Sequence, residues 1–86
     1  MLASPAAGQQ RVCDFRDKLL GHLAQKYQES PVAVGASNDG SLVEVLATND
    51  GETWTIVVTR PDGWACMRAA GENWRTIEPK PESTAL

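Results

Sequence analysis

Cys13 and Cys66 are the residues of this 86-residue chain best suited to covalent chemistry. Their separation matches no zinc-ligand or CxxC spacing, so metal binding and dithiol exchange are not indicated. What remains is a disulfide or a pair of buried thiols. His22 is the only histidine and has no second ligand or nucleophile placed near it by motif; we read it as a surface residue. No nucleophile elbow, phosphate-binding glycine loop or metal-ligand pattern occurs, and no cofactor or metal is expected. Trp54, Trp64 and Trp74 recur at ten-residue intervals, with Glu44 and Glu72 as candidate acids. Aromatic subsites for a sugar or peptide would use such a set. The plainer reading makes Trp54 the start of a core strand, stacks Trp64 on Arg60, and lets Trp74 close an edge.

These side chains are positioned by turns. Asn49-Asp50-Gly51 separates two β-rich runs, as a hairpin turn does. Arg60-Pro61-Asp62-Gly63 is more constrained. Proline holds φ near −65°, which excludes the I′ and II′ loops and leaves a type I turn with Gly63 in the left-handed region. That turn pairs Arg60 with Trp64, Val58 with Cys66 and Ile56 with Arg68, and puts Cys66 on one face with Trp54, Ile56 and Val58. Strand 41–48 admits two registers. A two-residue loop at Asp50-Gly51 pairs Val45 with Ile56 and turns Val43, Val45 and Ala47 to the core. A bulged three-residue loop turns Leu42, Glu44 and Leu46 inward instead, and would gather Arg16, Glu44 and Arg68 into a buried ionic cluster. The first register is preferred because it buries no charge.

Upstream, Gln10–Gln28 reads as a helix with Val12, Cys13, Phe15, Leu19, Leu20, Leu23, Ala24 and Tyr27 on one arc. Arg16 falls near the middle of that arc and is expected to reach water along its stem, or to meet a carboxylate from the sheet. Ser30-Pro31 stops the helix, and Asn38-Asp39-Gly40 marks a further hairpin. The expected fold is α+β: one N-terminal helix on a four-stranded antiparallel meander at about 32–37, 41–48, 53–60 and 64–70. Residues 1–9 are expected to be a flexible segment, 10–77 the single domain, and 78–86 a disordered, proline-rich tail, with a short extended piece at 74–77. Cys13 on the helix and Cys66 on the core face would then meet in a disulfide. The closed loop of about 50 residues would stabilise the domain by roughly 4 kcal/mol and indicate an oxidising compartment. A chain this short buries only about 60–65% of its unfolded surface, so such a cross-link or a dimer contact matters.

Net charge is −3, and the eight Lys and Arg residues are scattered. That argues against nucleic acid and anionic membrane surfaces, which are bound through basic patches. No apolar run approaches the roughly 20 residues of a membrane-spanning helix, so membrane insertion is not expected.

The order of these features resembles a group of short uncharacterised bacterial proteins predicted to be exported. They share a helix cysteine, an LVEV-type strand, a GxTWTI strand, a PDG turn, a second cysteine and an AAGExW ending. The counterparts here are Cys13, Leu42-Val43-Glu44-Val45, Gly51-Glu52-Thr53-Trp54-Thr55-Ile56, Pro61-Asp62-Gly63, Cys66 and Ala69-Ala70-Gly71-Glu72-Asn73-Trp74. The resemblance covers residues 13–74. It implies a periplasmic or secreted location, adds weight to the disulfide, and implies no particular activity.

The functional reading is a small exported binding or accessory module without catalysis. In the preferred register Leu42, Leu46, Val57 and Met67 lie on the sheet face away from the helix, as a candidate surface for a protein partner or a second copy. The alternative is a hydrolase or sugar-acting enzyme using Glu44 or Glu72 with the tryptophans. A third possibility is a subunit of a larger assembly.

Overall fold

The computed structural model describes residues 12–78; the expectations for 1–9 and for the tail beyond 78 lie outside the described residues. The chain opens with a short strand, β1 (Cys13–Phe15), and passes directly into the helix α1 (Arg16–Tyr27). Four further strands follow: β2 (Ser30–Ala36), β3 (Leu42–Ala47), β4 (Thr53–Thr59) and β5 (Trp64–Glu72). All five strands form one antiparallel sheet in the order β1-β5-β4-β3-β2. The expected four-stranded meander is therefore corrected to a five-stranded, mostly β fold. β2 to β5 form the meander, and β1 adds a strand beside β5.

The missed strand has a local cause. Val12, Cys13 and Phe15 fit the apolar arc of a helical wheel, and three residues are too few to show strand periodicity. In the structure Phe15 is extended, with φ −60° and ψ 145°, and no side chain caps the helix. The Arg16 N–H instead donates to the Gly63 carbonyl oxygen at 3.0 Å, which satisfies one of the free donors of a helix start. At the other end Gln28 takes φ 59°, and its N–H donates to the carbonyl of Ala24. The helix thus closes with a left-handed residue just before Ser30-Pro31.

The turns follow their residue chemistry. Gly63 has φ 93°, its N–H donates to the Arg60 carbonyl, and Arg60 N–H donates to the Trp64 carbonyl. Val58 accordingly pairs with Cys66. A register shift next to Ile56 and Val57 makes Arg68 an extra residue, so Ile56 pairs with Ala69 rather than Arg68. The β3–β4 loop has four residues, closed by Thr48 N–H donating to the Thr53 carbonyl. It preserves the register expected of a two-residue loop: Val45 pairs with Ile56. Gly51 in this loop has φ 76°, and its carbonyl accepts from Trp74 N–H at 2.8 Å. A Cβ there would run into the Trp74 carbonyl oxygen.

The faces are inverted relative to expectation. Leu19 and Leu23 of α1 pack on Leu46, Val57 and Ala65, with Leu20 and Met67 alongside. Leu46 and Val57 are fully buried. Val43, Val45, Ile56 and Val58 occupy the opposite face by strand alternation. The expectation failed because Cys13 is not on the helix. Its strand lies in the plane of the sheet, so the disulfide does not draw α1 to the face of Cys66. Leu46→Ala is expected to destabilise the domain by about 2–5 kcal/mol, whereas Val45→Lys, one residue away on the other face, should leave a cooperative unfolding transition; denaturant titration separates the two.

Three turn carboxylates contribute to the acid response. The Ser37 hydroxyl and Ser41 N–H hold Asp39 below the ordinary carboxylate range; the Glu52 N–H and Thr48 hydroxyl do the same for Asp50, and Arg60 with the Trp64 N–H for Asp62. A carboxylate lowered on folding stabilises the native state above its unfolded value, near 3.9, and loses that contribution as pH falls through the folded value. The urea midpoint should therefore drop below about pH 4, and replacing all three aspartates by asparagine should flatten that drop.

Candidate binding surface

Cys13 and Cys66 are bonded. They face each other across β1 and β5 with Cα atoms 4.1 Å apart, the close spacing of a non-hydrogen-bonded antiparallel pair. Their neighbours Val12 and Met67 carry the ladder, with Met67 N–H donating to the Val12 carbonyl. Neither cysteine is a free thiol, so thiol chemistry is unavailable to this pair while it is oxidised.

Arg16 and Glu44 form the ionic contact considered for the rejected arrangement. Arg16 Nε and Nη2 donate to Glu44 Oε1 and Oε2 at 2.8 and 2.7 Å. Glu44 is only 3% exposed, whereas the Arg16 side chain keeps about a third of its surface. The glutamate is the main holder of the guanidinium's charge, raising the Arg16 pKa further above its ordinary value. Arg68 is exposed in its bulge and forms no ion pair among the described residues, so the expected three-member cluster is corrected to a pair. Charge burial was the reason for turning Glu44 outward; the helix start supplies a fork-shaped partner that makes the inward position tolerable. Arg16→Ala should cost roughly 2–4 kcal/mol by leaving the carboxylate unpaired, and Arg16→Met with Glu44→Leu should recover most of it. Equal losses in the single and double variants would contradict this.

The candidate acids do not converge. Glu44 borders a groove with Arg16, Val34 and Leu42, while Glu72 borders a separate concavity of about 310 Å³ with Tyr27, Glu29 and Trp54. Glu29, which carried no sequence signal, takes the place beside Glu72. It is 2% exposed; Oε2 accepts from the Thr53 hydroxyl at 2.7 Å, and Oε1 is buried without a partner. His22 is exposed on α1, and among the described residues no group of three His, Cys, Asp or Glu side chains is arranged for a metal.

The tryptophans form no row. Trp64 meets Phe15 edge to face at 5.4 Å rather than stacking on Arg60, which bonds to Asp62. Trp54 and Trp74 lie 5.8 Å apart at 50°, and the Trp54 indole N–H donates to the Glu72 carbonyl. The Trp54 ring also lies over Gly71, where a Cβ would approach its Cζ2 to 2.9 Å.

Of the proposed binding face, Leu46 and Val57 are core, Met67 packs against that core, and Leu42 is half-buried beside the Arg16–Glu44 pair. That surface is therefore corrected. The face without the helix carries Val43 paired with Val58 and Val45 with Ile56, all half-buried, between the disulfide at one end and the two packed tryptophans at the other. Strand β2 at the sheet's edge is exposed along its whole length, including Val32 at 51% and Val34 at 66%. No helix among the described residues is long and apolar enough to cross a membrane. Comparison of the chain with protein-family models, curated proteins and solved structures gives no match.

Proposed function

We propose that the protein is an exported, non-catalytic binding or accessory module whose partner surface is the helix-free face of the sheet. The observation that carries this reading is the block formed by Val43, Val45, Ile56 and Val58 opposite α1. Cross-strand pairs of β-branched residues shield one another only partly, and a sheet face of this composition that no helix among the described residues covers favours contact with an apolar partner. The Cys13–Cys66 bond supports a periplasmic or secreted setting, because such bonds persist in oxidising compartments. The resemblance to short exported bacterial proteins points the same way. The partner class is a protein presenting apolar side chains, since the centre of the face is the four aliphatic residues Val43, Val45, Ile56 and Val58.

An apolar fluorescent dye, anilinonaphthalene sulfonate, tests the face in the full-length oxidised protein. Under native conditions the dye is expected to brighten with the unmodified chain and to lose most of that signal with Val45→Lys or Ile56→Lys, each still unfolding cooperatively. No enhancement with the unmodified chain would mean that the face is covered, and the reading would fail.

A further inference from the structure

We propose that β2 is a self-pairing edge, through which two copies of the chain join antiparallel about a two-fold axis at Gly35. This goes beyond the open-face reading and does not depend on it. The starting point is the ladder. Ser37 N–H donates to the Ser41 carbonyl at 2.8 Å, so Ser37 bonds inward to the β3 side. Antiparallel strands alternate inward and outward bonding residues. Gly35 and Ala33 therefore bond to β3, and Val34 and Ala36 direct their N–H and C=O groups away from the sheet.

An edge of this kind templates another strand unless something blocks it. At the opposite edge β1 carries Asp14 and pairs only with Trp64–Cys66, and the remainder of β5 is interrupted by the bulge at Arg68 and ends in the charged Glu72. β2 is protected at one end only. Pro31 and the irregularity between Pro31 and Ala33 spoil pairing there. From Ala33 to Ser37 no proline, bulge or charge interrupts the strand, and among the described residues nothing covers it. The segment from Ser30 to Ser37 holds no charged residue, so a second copy meets no like-charge repulsion, and a charged partner strand has nothing to pair with.

The accessible register follows from these limits. Centring the two-fold on Val34 would bring Pro31 and Val32 into the ladder. Centring it on Gly35 confines pairing to 33–37 and opposes Val34 of each copy to Ala36 of the other, with roughly four main-chain hydrogen bonds. Gly35 then faces its own copy at the closest point. An added Cβ at Gly35 meets nothing within 4 Å, so the site is open. Ala36 pairs with Leu42 in its own sheet, so the partner's valine, arriving opposite Ala36, lands near half-buried Leu42 in the groove beside Arg16. The axis is normal to the sheet, so both helices lie on one side. Two five-stranded sheets become one of ten strands, and the two apolar faces become continuous.

The test joins mass and cross-linking. Sedimentation equilibrium of the full oxidised chain over the micromolar range should show a monomer–dimer equilibrium. Val34→Pro removes an outward N–H without breaking the internal ladder; it should weaken association at least tenfold while unfolding cooperatively. Gly35→Cys should form a covalent dimer in air through a bond between the two introduced cysteines, with the Cys13–Cys66 bond intact by peptide mapping. Val34→Cys should cross-link several-fold less under the same conditions. A strictly monomeric mass at all concentrations overturns the proposal. So does a dimer indifferent to Val34→Pro, and so does equal cross-linking at 34 and 35. A dimer lost instead with Val45→Lys would place association on the open face, removing the edge proposal and leaving that face in use.

Discussion

Cys13 and Cys66 hold a three-residue strand against β5, and the path of the remaining chain follows from that anchorage. A strand this short gains few hydrogen bonds and no core of its own. The covalent bond closes a loop spanning 53 residues in sequence, worth roughly 4 kcal/mol in chain entropy. With β1 fixed in the plane of the sheet, the chain leaves Phe15 beside Gly63 and enters α1 at Arg16. Arg16 there reaches Glu44 on β3, and the helix lies across the Leu46–Val57 face to reach β2 at the opposite edge. One bond, one ion pair and two buried leucines thus determine which side of the sheet is interior.

Much of the hairpin chemistry could be read directly from residue types. Pro61 and Gly63 dictate the turn that pairs Val58 with Cys66, and Asp50-Gly51 sits in a loop compatible with Val45 opposite Ile56. The bond between Cys13 and Cys66 was also legible, although the geometry inferred for it was wrong. What the sequence did not display was the state of residues 13–15. The same apolar positions fit a helical arc and a short strand, and only long-range pairing decides between them. That single ambiguity propagated: moving Cys13 from helix to strand reversed the covered face, and with it the status of Leu46, Val57, Val45 and Ile56. Glu44 compounded the error, because a buried carboxylate looks prohibitive until its arginine partner is located.

The surface that results has two distinct features. The helix-free face is apolar across β3 and β4, and the β2 edge is uncharged and open beyond Pro31. Each would be a liability in a protein acting alone. Both suit a chain whose working form includes a partner, and they offer different chemistry: side-chain contact on the face, main-chain hydrogen bonds at the edge. The concavities lined by Glu44 and by Glu29 contribute less, since Glu44 is engaged by Arg16 and Glu29 accepts from the Thr53 hydroxyl.

The placement of α1 is the claim on which the interior, the open face and the edge all rest. Methyl–methyl nuclear Overhauser contacts in the oxidised protein measure it directly. The account predicts cross-peaks from the Leu19 and Leu23 methyls to Leu46 and Val57, and none to Val45 or Ile56. Cross-peaks from those leucines to Val45 and Ile56 would put the helix on the other face and contradict it.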